Sequence, residues 1–68
     1  MKNRITELRK TQKITQDELA KALKVSRQTV FCIENDKYEP SLPLAFKIAH
    51  HFGLRIEEVF EYQPEENA

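Results

Sequence analysis

Residues 15–35 constrain the fold of this 68-residue chain most strongly, because they contain two helix starts a short distance apart. Thr15 and Glu18 have the spacing of a capping box, in which each side chain accepts a hydrogen bond from the other residue's backbone N–H. Two leucines follow at helical spacing. Ser26 then interrupts the pattern and is a favourable N-cap for another helix. The sequence therefore predicts two short helices joined by a tight turn.

The second predicted helix, residues 27–34, has a clear apolar side. At about 100° per residue, Val30 and Ile33 mark the side that faces the core. The opposite side and its flanks hold Gln28, Asn35, Phe31 and Cys32. Two helices of this kind, set roughly perpendicular, form a helix-turn-helix, whose second helix fits the major groove of DNA.

Arg27 and Gln28 stand at the start of this second helix. An arginine there suits bidentate contact with guanine, and a glutamine suits adenine. A simple solvated polar face would have a similar composition, so these two residue types alone leave both interpretations open. The spacing of the whole chain favours the DNA interpretation.

Residues 4–60 resemble the phage Cro and repressor class of helix-turn-helix domain, also called the xenobiotic-response-element family. The likeness is strongest to very short prokaryotic regulators with the pattern SRQT…IEN.KY.PSL.LAFKIA…FG. Here the pattern occupies residues 26–29, 33–35, 37–38, 40–42, 44–49 and 52–53. The resemblance implies an all-α, five-helix, lambda-repressor-like fold over residues 1–62. It also implies sequence-specific binding of double-stranded DNA by a transcriptional regulator, with repression as the expected outcome.

The resemblance also implies roles for individual residues. The expected DNA-binding set is Gln16, Ser26, Arg27, Gln28, Thr29, Phe31 and Cys32, with Asn35 and Lys37 on phosphates. Arg9 and Glu34 occupy positions that commonly form an ion pair between the first and third helices.

Several residues depart from the family pattern. The family usually has glycine at the helix ends occupied here by Lys13, Lys24 and Asp36, where a left-handed backbone is common. A residue with a side chain pays roughly 1 kcal/mol in that conformation, so either the strain is tolerated or the turns shift. Phe31 and Cys32 replace residues that are usually small or polar, so the family's base preference does not carry over.

The charge distribution fits a DNA-binding protein although the formal net charge is zero. Residues 1–30 hold eight lysines and arginines against three acidic residues, and residues 31–68 hold three against eight. The basic half carries the helix-turn-helix, and DNA should repel the acidic end. Without an apolar run suited to a membrane span or signal peptide, we expect a cytoplasmic protein.

The remaining sequence predicts helices that support the helix-turn-helix. A first helix over residues 3–11 turns Ile5 inward, and Ser41 caps a fourth helix that ends at Gly53. A fifth short helix is expected over residues 56–60, before an acidic tail at residues 63–68.

Catalysis is not expected. Cys32 with His50 or His51 offers a nucleophile and a base in principle, but no oxyanion loop or glycine-rich segment accompanies them. Zinc would need more ligands, and one cysteine excludes an intrachain disulfide. We expect no cofactor, metal or small-molecule ligand. A redox switch at Cys32 stays open, because a thiol on the DNA face would disturb binding when oxidised.

Two expectations concern partners. The first is homodimerisation through the C-terminal end, with Phe60 and Tyr62 as contacts and an inverted-repeat operator. Core packing competes for Phe60, which would leave Tyr62 for the partner. The second is the main alternative function, an antitoxin-like or protein-interaction module that uses the exposed face around Phe31.

Overall fold

The computed structural model describes residues 1–62, and the expected tail at residues 63–68 lies outside them. The described residues form five helices and one two-stranded sheet, which confirms the all-α, lambda-repressor-like fold. In chain order the elements are β1 (Lys2–Asn3), α1 (Ile5–Thr11), α2 (Gln16–Leu23), α3 (Arg27–Glu34), α4 (Leu42–His51), α5 (Ile56–Val59) and β2 (Phe60–Glu61).

The three helix starts with a hydroxyl cap match the sequence prediction. The side chain of Thr15 accepts from the backbone N–H of Glu18, and the Glu18 carboxylate accepts from the N–H of Thr15. Ser26 and Ser41 likewise accept from the N–H groups of Thr29 and Leu44. Each cap satisfies backbone donors that the first turn of a helix leaves unpaired.

Residues near the two ends of the described segment pair in a way the sequence did not predict. β1 and β2 run antiparallel, with Lys2 opposite Glu61 and Asn3 opposite Phe60. The first helix begins at Ile5, two residues after its approximate predicted start, and the fifth ends at Val59, one residue before its approximate predicted end. The ring of Phe60 is 7% exposed and packs in the core.

Four helix ends share one geometry, the Schellman motif, in which a residue at the C-cap or directly after it is left-handed. Lys13, Lys24 and Asp36 have φ of 59°, 60° and 59°, and Gly53 has φ of 68°. The paired hydrogen bonds of the motif are present at all four, for example Val25 N–H to the carbonyl of Ala20. The three non-glycine residues therefore adopt the strained conformation rather than shift the turns. α4 ends at His51, two residues before the predicted boundary.

The core lies between α2, α3, α4 and the chain ends. Its most buried members are Ile5, Leu19, Leu23, Ile48 and Val59. Lys47 of α4 donates from Nζ to the carbonyl of Leu23 at 2.8 Å, so a cation satisfies the C-terminal end of α2 where the turn to α3 begins.

Candidate DNA-binding surface

α3 is anchored by one side and open on the other. Val30 and Ile33 are each 2% exposed and pack in the core. Arg27 and Gln28 lie at the N-terminal end of the helix with their side chains in solvent. The helical wheel predicted this arrangement, because the apolar pair fixes which side of the helix faces inward.

Ser26 and Thr29 belong chiefly to the helix cap. Their hydroxyl oxygens are 2.8 Å apart, and the Ser26 hydroxyl also accepts from the backbone N–H of Thr29. The two residues hold the start of α3 in shape beside Arg27 and Gln28. Any DNA contact of these hydroxyls would share atoms that already form hydrogen bonds.

Gln16 reaches the same surface from α2. With Arg27, Gln28 and Phe31 it lines a shallow depression of about 310 Å³. Its Nε2 donates to Oε1 of Glu34 at 2.9 Å, which fixes the orientation of the amide. The structure therefore brings four of the expected DNA-facing side chains into one depression, and the tether of Gln16 is a feature the sequence analysis missed.

Behind this depression, Arg9 and Glu34 join α1 to α3. Arg9 Nε lies 2.8 Å from Glu34 Oε2, and the two side chains are 13% and 3% exposed. A second guanidinium nitrogen of Arg9 donates to the carbonyl of Ile14 at 3.0 Å. The ion pair and the amide of Gln16 thus link three helices at one carboxylate.

Two opposing effects act on the pKa of Glu34. Burial raises the pKa, but hydrogen bonds from Arg9, Gln16 and Thr6 and the positive charge of Arg9 outweigh the burial. The net result is a lowered pKa. The carboxylate therefore stays charged and continues to hold its partners at neutral pH.

The C-terminal end of α3 shows how Asn35, Lys37 and Phe31 are arranged. Asn35 Nδ2 donates to the carbonyl of Phe31 at 2.8 Å, so its amide already caps the helix. Lys37 Nζ lies 6.0 Å from the centre of the Phe31 ring, within the range of a cation–π contact. The Phe31 side chain is 40% exposed. Lys37 thereby places its charge beside the Phe31 ring at the end of α3.

Cys32 is half-buried on the same helix. Gln28 Nε2 approaches its Sγ at 3.5 Å, which orients the glutamine along the helix surface. Across residues 1–62, no three His, Cys, Asp or Glu side chains cluster in a way that could hold a metal ion.

A second depression, of about 600 Å³, adjoins the N-terminal ends of α2 and α3. Arg9, Lys10, Lys13 and Arg27 line it together with the first turn of α2. Cations beside the N-terminal end of a helix suit a phosphate. Neither Lys10 nor Lys13 was among the residues expected to contact DNA, and their positions around the start of α2 are the signal that would have pointed to them.

A family model described as helix-turn-helix matches residues 5–59. The chain belongs to the Cro/repressor class of helix-turn-helix transcriptional regulators. An uncharacterised HTH-type transcriptional regulator of Methanocaldococcus jannaschii is 53% identical over 66 residues, which cover 97% of this chain and all of the relative. The uncharacterised HTH-type regulator YgzD of Bacillus subtilis is 45% identical over 96% of this chain and 98% of its own length.

A third relative has a more specific name. The immunity repressor protein of Bacillus phage phi105 is 38% identical over 53 residues, which cover 78% of this chain and 37% of the repressor. The family match includes both α2 and α3.

The two expected dimer residues of the regulator differ in exposure. Phe60 is buried in the core, so it offers little surface to a partner, whereas Tyr62 is 66% exposed. No helix within residues 1–62 is long and apolar enough to cross a membrane.

Proposed function

We propose that this regulator binds a specific double-stranded DNA sequence by inserting α3 into the major groove. The observation that carries the proposal is the orientation of α3, whose Val30 and Ile33 are buried while Arg27 and Gln28 are exposed at its start. These two side chains carry the hydrogen-bonding groups that distinguish guanine and adenine. Gln16 and Phe31 complete the reading surface, and a thymine methyl would suit the exposed ring.

Phosphate contacts flank this surface in the proposed complex. Lys37 would approach the backbone near the end of α3, and Lys10 and Lys13 would approach it near the start of α2. Such contacts fix the position of a protein on DNA but carry little sequence information.

We further propose that the regulator is a repressor and binds an inverted repeat as two copies. The name of the phage relative supports repression. A single recognition helix touches few base pairs, so operator-level specificity favours two copies related by a two-fold axis. The protein-interaction alternative rests on the exposure of Phe31, but that ring shares its depression with three candidate DNA-binding side chains.

Selection of bound sequences from a random DNA pool, followed by alanine variants, tests the proposal. Arg27→Ala and Gln28→Ala should each cost about 1–3 kcal/mol on the selected site and relax its specificity at one position. Lys37→Ala should instead weaken binding to all sequences similarly and reduce the salt dependence. Equal losses on selected and random DNA for Arg27→Ala would reduce this residue to a phosphate contact. Failure to select any sequence, with stable co-purification of another protein, would favour the alternative.

A further inference from the structure

Phe31 borders the depression that holds the proposed base-reading side chains. It is 40% exposed, whereas Val30 and Ile33 of the same helix are each 2% exposed. Single apolar residues at a protein surface are common and carry no meaning alone. Phe31, however, lines the depression together with three polar side chains. In the proposed complex its ring therefore stands beside the groups that meet the base edges.

Two contacts hold Phe31 in place in the free protein. Asn35 Nδ2 donates to the carbonyl of Phe31 at 2.8 Å, which fixes the backbone at this point of α3. Lys37 Nζ lies over the ring, 6.0 Å from its centre. A side chain that is already positioned loses less conformational freedom on binding than a mobile one. A contact as small as one methyl group can therefore contribute to affinity here.

The spacing of Phe31 from Arg27 limits which base the ring can reach. The two residues are four positions apart on α3, so their side chains lie on one side of the helix. Four residues of helix span about 6 Å, and neighbouring base pairs are stacked about 3.4 Å apart. With Arg27 on a guanine, as proposed above, the ring reaches a base at most about two base pairs away.

The chemistry of a phenyl ring decides what Phe31 can distinguish in the major groove. The ring has no hydrogen-bonding group for the O4 acceptor of thymine or the amino donor of cytosine. The methyl group on C5 of thymine is the apolar feature of a base edge there, and it suits an apolar side chain. 5-Methylcytosine carries the same methyl group on the same ring carbon. A phenyl ring thus separates methylated from unmethylated pyrimidines, but it does not separate thymine from 5-methylcytosine.

We propose that Phe31 is a specificity-determining residue that reads the 5-methyl group of one pyrimidine, so that the regulator accepts 5-methylcytosine in place of thymine near the guanine of Arg27. The inference rests on the proposed insertion of α3 into the major groove, and it names the chemical class of base that the ring selects. Methylation of a cytosine at this position therefore raises the affinity of the regulator for its site.

Binding of the full chain to synthetic duplexes tests the proposal, starting from a site selected out of a random DNA pool. Each thymine within two base pairs of the guanine assigned to Arg27 is replaced singly by uracil, and in a second series by cytosine or 5-methylcytosine opposite guanine. Thymine and uracil, or 5-methylcytosine and cytosine, differ by one methyl group and keep the same opposite base. At one position we expect the methylated base of each pair to bind about fourfold more tightly, since burial of one methyl group contributes about that factor.

Variants of Phe31 show whether the ring causes this discrimination. Phe31→Gln should bring both ratios close to one, whereas Phe31→Leu, which keeps an apolar side chain, should retain most of each ratio. Phe46→Ala is the matched control, because Phe46 is 54% exposed but lies on α4 and does not line the depression. Thermal melting followed by circular dichroism checks that each variant folds.

Three results overturn the inference while the selected site is still bound, and so leave the proposed function intact. The first is a ratio near one for the wild type at every tested position. The second is a ratio that persists in a folded Phe31→Gln variant. The third is a preference for thymine over uracil without a preference for 5-methylcytosine over cytosine. Failure to select any sequence would instead overturn the proposed function, and this inference with it.

Discussion

At the residue scale, Glu34 does more than balance the charge of Arg9. It accepts hydrogen bonds from Arg9 at 2.8 Å and from Gln16 at 2.9 Å, so one carboxylate orients a scaffold residue and a candidate DNA-binding residue together. A buried ion pair is costly to break because removal of one partner leaves the other charge uncompensated. The arrangement connects the stability of the bundle to the position of Gln16 on the candidate DNA-binding surface.

Glu34→Gln should therefore lower the free energy of unfolding by about 3–5 kcal/mol at neutral pH, since the Arg9 guanidinium would stay buried without a counter-charge. Glu7→Gln is the matched control, because the Arg4–Glu7 pair has side chains 57% and 64% exposed and should contribute less than about 1 kcal/mol. Urea denaturation measures both. A loss below 1 kcal/mol for Glu34→Gln would contradict the assigned role.

The pH dependence of the same variant has a definite sign. The pKa of Glu34 is lower in the folded protein than its ordinary value of 4.5, so its stabilisation is complete well above pH 4.5 and is lost as the pH falls through the folded value. The difference in unfolding free energy between wild type and Glu34→Gln should shrink over that acidic range. If the difference in unfolding free energy stays constant over that range, the charge of Glu34 is not what stabilises the wild type relative to Glu34→Gln.

At the element scale, helix starts were predictable and chain pairing was not. Thr15, Ser26 and Ser41 cap helices through bonds that span three residues, so the sequence nearby contains the whole signal. The register of Asn3 with Phe60 depends on two distant segments that meet only in the folded molecule. The same distinction holds within the candidate DNA-binding surface. The exposure of Arg27 followed from helical spacing, whereas the bond between Gln16 and Glu34 required the packing of two helices.

The left-handed helix ends give a prediction for these elements. Lys24→Gly should raise the free energy of unfolding by up to about 1 kcal/mol, because glycine adopts positive φ without the clash of a Cβ. Gly53→Ala should have the opposite effect. A Cβ at Gly53 would meet nothing within 4 Å, so this variant reports the backbone cost alone. Thermal melting measures the change in stability of both variants. Destabilisation by Lys24→Gly would mean that the Lys24 side chain contributes more to stability than its backbone strain costs.

At the scale of the whole molecule, Asn3 connects the paired strands β1 and β2 to α3. Its Nδ2 donates to the carbonyl of Ile33 at 2.9 Å, and its Oδ1 accepts from the N–H of Ile5 at 3.0 Å. The sheet of β1 and β2 therefore braces α3 at its C-terminal end.

Asn3→Ala should consequently cost about 1–3 kcal/mol, because it removes the partners of two backbone groups in a partly buried site. Lys2→Ala, at an exposed position in the same strand, should change stability by less than about 0.5 kcal/mol. Chemical denaturation compares the two. Similar small effects for both would indicate that water replaces the bonds of Asn3.

The pairing of β1 with β2 has a further consequence for how the molecule forms. The hydroxyl caps at the helix starts and the paired backbone bonds of the Schellman motifs join residues at most five positions apart, whereas Lys2 meets Glu61 only after nearly the whole chain is present. Loop closure over such a distance carries an entropic cost that local turns avoid. Amide hydrogen exchange at Asn3 and Phe60 should therefore become slow only when the whole molecule has folded. A chain cut after α5 would contain all five described helices but lack β2, so β1 would have no strand to pair with.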